Sequence, residues 1–193
     1  MKKLILTATL YTAITAILLG IVYPLTITAI AHIAFPRQAN GQLLTSNGEL
    51  TGSRIIGQPF TGPTYFHSRP SNAGTGYDAT ASSGSNLAPT SKALADRVTA
   101  SVATESTDPQ QPIPIDLVTA SASGLDPDIS PAAALYQVPR IAHERHLPEP
   151  TVRQLVLTHI APRQFGLLGE PTVNVLTLNQ SLDQLTAHLA AKD

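Results

Sequence analysis

The chain has no cysteine and no tryptophan, one methionine, and only 13% charged residues across its 193 positions. The missing cysteines exclude disulfides, cysteine-ligated zinc, iron–sulfur clusters and thiol catalysis together, and they leave the compartment open. The scarcity of charge is uneven. No Asp, Glu, Lys or Arg occurs from Leu4 to Pro36, whereas all thirteen acidic residues and ten of the twelve basic ones lie beyond that stretch. That balance of −3 contains no basic stripe, so nothing points to a nucleic-acid partner. No repeat of the kind that builds solenoids is present either.

What is present starts with an apolar run, LILTATLYTAITAILLGIVYPLTITAIAHIAF. A bilayer core of about 30 Å needs roughly 20 helical residues. The run therefore predicts a transmembrane helix spanning about residues 7–29. Its threonines cost little, because a helical Thr bonds back to its own backbone. Pro24 removes one donor and marks a kink or the outer part of the span. Tyr11 and Tyr23 are interfacial markers. A cleaved signal peptide has an apolar core of about 7–15 residues and a small-residue cleavage site. Ala29-Ile30-Ala31 imitates such a site, but the run is too long and has no break before it. It also lacks a polar face, unlike a core helix. Lys2 and Lys3 on one side against Arg37 on the other place the N-terminus in the cytoplasm and the remainder outside. The expected organisation is an anchor over residues 1–36 and an extracytoplasmic domain over 37–193. Ala13, Ala16 and Gly20, at i, i+3 and i+7, offer a neighbouring membrane helix a seat of small residues.

Sixteen prolines and twelve glycines predict a modest core and many defined turns beyond the anchor. Residues 53–58, SRIIGQ, read as a strand closed by Pro59. Residues 65–91 are rich in Gly, Ser, Asn and Pro, too long for an idle hairpin loop, and their interleaved aromatic and charged residues argue for order and function. Thr90 or Ser91 caps a helix whose face is Leu94, Val98 and Val102. Residues 104–112 read as a solvent loop and Ile113 to Thr119 as a short strand. Ser130 caps a helix with Pro131 at its first position, and Pro139 should bend or divide it. Another helix follows Pro150, with Val152, Leu155, Val156 and His159 on one side. VNVLTL, residues 173–178, reads as a strand, and Asn179 as the cap of a last helix facing inward through Leu182, Leu185 and Leu189. Mixed strands and helices without regular βαβ units indicate an α+β fold on a single N-terminal transmembrane helix.

Familiar catalytic patterns fail on spacing. His143-Glu144-Arg145-His146 sets its histidines three apart, where a zinc-protease helix needs four. Asp126-Pro127-Asp128 lacks the alternating oxygens and bidentate Glu of a calcium loop. There is no nucleophile elbow, and Ser85-Asn86 comes without Ser-x-x-Lys because Pro89 stands three before Lys92. Walker and dinucleotide loops are absent. Thr75-Gly76-Tyr77-Asp78 resembles a potassium filter, which requires several such loops around one axis at membrane depth; a Gly-Tyr turn is the default reading. Two classes stay open on the residues alone: an anchored accessory subunit, or an anchored extracytoplasmic enzyme or sensor with an unfamiliar site.

The Gly-rich segment decides between them. YFHSRPS at 65–71, Tyr77-Asp78 and Ser82-Ser83-Gly84-Ser85-Asn86-Leu87 closely resemble the KdpC family of the Kdp potassium-transporting P-type ATPase complex. Val22-Tyr23-Pro24-Leu25, residues 35–41, Ile56-Gly57-Gln58-Pro59-Phe60, residues 116–140 and residues 169–183 agree in the same order. Ser83 stands where the family commonly has the first of two glycines; were φ positive there, Ser would be strained. The resemblance implies a non-catalytic subunit of an inner-membrane complex that imports K⁺ using ATP. It implies three partners, a potassium-channel-like subunit, a P-type ATPase subunit and a small single-span subunit, besides membrane lipid. It further implies support of assembly and a raised ATP affinity of the ATPase subunit. ATP and K⁺ are ligands of the complex, with no cofactor assigned to this chain. An outside domain cannot touch cytoplasmic ATP, so such an effect would travel through the partners. The candidate partner contacts are Tyr65, Phe66, His67, Arg69, Pro70, Tyr77 and Asn86.

Overall fold

The computed structural model describes residues 1–46, 48–106 and 110–190. The chain divides into two compact units, Met1–Thr51 and Gly52–Asp193.

The first unit is mostly helix. Helix α1 (Lys2–Ile17) runs through a five-residue π segment (Leu18–Val22) into α2 (Tyr23–Ala34). Together they form one 33-residue apolar helix, none of whose most apolar stretch is buried, long and apolar enough to cross a membrane. Pro24 neither ends nor interrupts it. A proline cannot donate to the fourth residue back, and its ring crowds that carbonyl. The widened turn ahead of it absorbs this: the Tyr23 N–H donates to Leu18 O, five residues back. Thr15 and Thr26 donate their hydroxyls to Tyr11 O at 2.8 Å and Val22 O at 2.7 Å, as apolar surroundings require. A short helix α3 (Pro36–Ala39) and two neighbouring strands, β1 (Leu43–Ser46) and β2 (Glu49–Ser53), follow.

The second unit contains α4 (Lys92–Glu105), a 3₁₀ turn (Ile115–Leu117), β3 (Asp128–Ile129), α5 (Pro131–Glu144), α6 (Glu149–Thr158), β4 (Ile160–Ala161), β5 (Thr172–Asn174) and α7 (Val175–Ala190). Its sheet is small and antiparallel, in the order β3-β5-β4, with Val173 facing both Ile129 and Ile160. Helix α5 packs on α6, and α6 on α7. Phe66, Leu117, Ile141, Val152, Val156, Leu178 and Leu182 fill the core between them. The architecture is α+β behind one apolar N-terminal helix.

Several elements depart from the sequence expectation. In the 53–58 segment only Ser53, the end of β2, is strand; the chain then turns, with Ile56 N–H donating to Ser53 O at 3.3 Å. Gly57 explains this: a Cβ there would sit 2.5 Å from Asp126 O, so the chain docks edge-on against 125–126 instead of extending a strand. The 113–119 segment contains the 3₁₀ turn Ile115–Leu117 in place of a strand, because Pro112 and Pro114 remove the donors a strand needs. Residues 104–105 still belong to α4; of the expected solvent loop, 107–109 lie outside the described residues. Ser91 precedes α4 without a side-chain capping bond, and the helix buries no residue.

Ser130 does cap α5, accepting from Ala133 N, with Pro131 at the first turn. That helix then continues unbroken through Pro139. The proline is exposed, whereas Val138 and Ile141 beside it are fully buried. Burial of that face outweighs one missing hydrogen bond. The expected strand at 173–178 is cut at Asn174, whose Oδ1 accepts from Thr177 N at 3.1 Å and so caps α7. Val175, Leu178, Leu182, Leu185 and Leu189 recur at helical spacing, and this stripe overrides the local alternation of VNVLTL. Asn179 is therefore not a cap but an inward-facing residue of α7, 1% exposed.

Candidate functional site

Residues 63–70 form neither helix nor strand, so their backbone polar groups need partners from elsewhere. Long side chains of α5 and α7 supply them. The Asn179 amide grips one residue at both ends: Phe66 N–H donates to its Oδ1 at 2.9 Å, and its Nδ2 donates to Phe66 O at 3.0 Å. Gln137 does the same to the next residue, accepting from His67 N–H at 2.7 Å and donating to His67 O at 3.2 Å. Arg140 donates to Pro63 O and, at 3.0 Å, to Tyr65 O. Arg145 donates to Thr64 O at 2.7 Å. Each amide mimics the edge of a strand, offering one donor and one acceptor in plane. Five successive residues are thereby strapped to the helices without a sheet. Burial of Arg140 pulls its pKa below the ordinary guanidinium value; Glu105 and Glu144 oppose that shift.

The straps fix what the loop displays. Phe66 is fully buried and anchors the segment in the core. Tyr65 lies partly exposed, with the Arg145 guanidinium 4.7 Å from its ring centroid and Phe60 tilted against it at 5.7 Å. Arg145 also pairs with Asp183 at 2.7 Å. Both ring nitrogens of His67 face oxygens, Glu105 Oε1 at 2.9 Å and Gly62 O at 3.1 Å. Arg69 pairs with Asp126 at 3.1 Å and reaches the carbonyls of Thr119 and Ala120, both at 3.4 Å. Asp126 thus serves as a structural counter-charge.

Downstream, Tyr77 adopts φ 57° and donates its hydroxyl to Arg69 O. Burial raises its pKa above the ordinary tyrosine value; the Ser68 hydroxyl offsets part of this and the charge of Asp126 adds to it. The Tyr77 N–H donates to Ser71 Oγ at 2.8 Å, and that hydroxyl donates to Gly124 O at 2.6 Å. Asp78 accepts from the backbone and hydroxyl of Thr80, which lowers its pKa. Asn86 is exposed at φ 52°, a conformation Asn tolerates better than most residues. Ser83 has no positive φ and carries no strain. Gly84, its neighbour, is the residue that must stay small: a Cβ would lie 2.9 Å from Ala122 O.

The structure brings His67, Arg69, Pro70 and Tyr77 to one pocket of about 350 Å³, lined also by Arg97, Ser101 and Thr104 of α4. Tyr65, Phe66 and Asn86 lie outside its lining. Ala13, Ala16 and Gly20 are exposed on the apolar helix, Gly20 within the π segment and with open space where a Cβ would be. Among the described residues, no three His, Cys, Asp or Glu side chains gather as a metal site. His143 is exposed beside Glu144, and His146 is exposed at φ 55°. Of the straps, Gln137, Arg140 and Arg145 were not singled out from sequence, and Asn179 was read only as a helix cap. Their signal was available only for Asn179, a polar residue flanked by Leu178 and Leu182 on an apolar stripe.

Comparison with known proteins covers nearly the whole chain. Residues 5–184 match the family described as KdpC, K⁺-transporting ATPase, c chain. A potassium-transporting ATPase KdpC subunit from Acidobacterium capsulatum is 59% identical over 179 residues, 93% of this chain and 97% of its own. One from Koribacter versatilis is 55% identical over 95% of both chains. One from Gemmatimonas aurantiaca is 54% identical over 93% of this chain and 92% of its own. The extent and identity of these matches show that the chain belongs to the KdpC family of K⁺-transporting ATPase c chains.

Proposed function

We propose that the chain is a non-catalytic accessory subunit of an ATP-driven K⁺ importer, seated in the inner membrane with its N-terminus in the cytoplasm. Residues 1–36 serve as the anchor and 37–193 as an extracytoplasmic domain. Its partners in this reading are a potassium-channel-like subunit, a P-type ATPase subunit and a small single-span subunit. The chain supports assembly and raises ATP affinity indirectly. It binds one state of the partners more tightly than another, and the ATP site follows by linkage.

The observation that carries the reading is the strapped loop. Its aromatic and cationic side chains stand on a backbone fixed by Asn179, Gln137, Arg140 and Arg145, so little ordering entropy is lost on docking. Tyr65, His67, Arg69, Pro70, Tyr77 and Asn86 are the proposed contacts, with Phe66 as the buried peg that sets them. Ala13, Ala16 and Gly20 seat a neighbouring membrane helix.

The test measures K⁺-stimulated ATP hydrolysis by the complex with and without this chain. The ATP concentration for half-maximal rate should rise on removal and recover when the full chain is restored; an unchanged value refutes the linkage. Orientation is tested by a cysteine introduced beyond residue 37, unique in a chain with none. An impermeant thiol reagent should label it in intact spheroplasts, and labelling only after lysis refutes the outside placement.

A further inference from the structure

Between β4 and β5 the chain projects a tight apolar tip. Phe165 is 91% exposed, Leu167 80% and Leu168 59%. The tip is built, not loose: Gln164 and Leu168 exchange backbone hydrogen bonds at 2.9 Å in both directions. Gly166 N–H donates to Arg163 O at 3.1 Å and Leu167 N–H to Gln164 O at 3.0 Å. Phe165 is held at φ 53° and Gly166 at φ 75°, so a bulky residue occupies a backbone region it disfavours in order to face outward. Arg163 and Glu170 pair across the base, which leaves the tip without net charge.

We propose that this tip is a docking knob that inserts into an apolar recess on another chain of the same ATPase; the proposal rests on the accessory-subunit reading above. The three side chains expose on the order of 400 Å² of apolar surface, the size of the largest patch on a typical monomer and of a kind that is often functional. That is about half of the roughly 800 Å² per partner that a freely diffusing complex buries. A knob of this size is effective on a partner already held alongside, and a shared membrane does this by raising the effective concentration. The 33-residue apolar helix supplies that tether. Two features favour a protein recess over the lipid surface. Surface-binding segments carry unpaired Lys and Arg for anionic headgroups, whereas Arg163 is paired with Glu170. A fixed turn matters to a shaped pocket and is wasted on fluid lipid.

The absence of native cysteine allows a direct test with the full chain. The variants Phe165→Cys and Gln154→Cys, the latter at an exposed position of α6, are labelled with a soluble maleimide in detergent. Labelling is followed in the chain alone and in the assembled complex. Assembly should slow F165C at least tenfold more than Q154C, and Phe165→Asp with Leu167→Asp should reduce recovery of the chain with its partners severalfold. If wild-type chain co-purifies but F165C is not slowed relative to Q154C, the knob is refuted and the subunit reading stands. Protection that appears only in phospholipid vesicles assigns the tip to the bilayer and overturns the proposal. Failure of the wild-type chain to co-purify overturns both.

Discussion

Replacing Asn179 by alanine tests whether the loop is held by helix side chains. The native amide is 1% exposed and satisfies both backbone groups of Phe66, which is itself fully buried. Alanine leaves one buried N–H and one buried C=O without partners. Each such orphan costs about 1–3 kcal/mol. A total of about 3 kcal/mol is a cautious sum, since water entering the space left by the amide recovers part. For a domain of this size, 1 kcal/mol lowers Tm by roughly 3–4 °C, so Asn179→Ala should lower it by about 10 °C. The assay is thermal unfolding of the full chain in detergent, read by near-ultraviolet circular dichroism of the tyrosines. Far-ultraviolet signal is less suitable because the apolar helix stays folded in the micelle. Gln154→Ala, at an exposed position of α6, serves as reference and should shift Tm by no more than about 2 °C. If Asn179→Ala lies within the same range, the loop is held by something other than this amide, and the strapping argument fails.

Three further outcomes follow from the same geometry. Ser83→Gly should be close to neutral in denaturant titration, because Ser83 has no positive φ, whereas Gly84→Ala should destabilise by about 1–3 kcal/mol through the close approach to Ala122 O. Burial raises the Tyr77 pKa above 10.0, so the unfolded chain loses that proton first as pH rises. Stability should hold below about pH 10 and fall as pH climbs toward the folded value, and Tyr77→Phe should flatten part of that alkaline slope in unfolding measured against pH. Gly20→Leu fills the open face of the π segment; recovery of partner subunits with the tagged chain should fall several-fold, and undiminished recovery would remove that seat from the interface.

The existence of the apolar helix was legible because its signal is one-dimensional, though its extent (Lys2–Ala34) and its π segment were not. A charge-free run from Leu4 to Pro36 reports membrane-spanning length by composition, and Ser130-Pro131 reports a helix start by local chemistry. Segments decided by neighbours were misread. SRIIGQ has strand-like residues, but its path is set by Gly57 pressing on Asp126 O, more than 60 positions away. VNVLTL alternates locally, yet the stripe that governs it runs on to Leu189, and the core selects the longer period. Pro139 was expected to bend or divide a helix that burial of Val138 and Ile141 keeps continuous. The segment at 65–91 could be recognised as meaningful from its composition. Its geometry could not, because an unpaired backbone says only that partners must exist. The sequence alone determined that this chain has an apolar anchor, no thiol chemistry and an irregular loop worth ordering. Only the tertiary structure decided that Asn179 and Gln137, 113 and 70 residues from the groups they hold, stand in for the missing strand. Hydrogen-bond partners at that separation are set by how helices pack, and no local pattern encodes them.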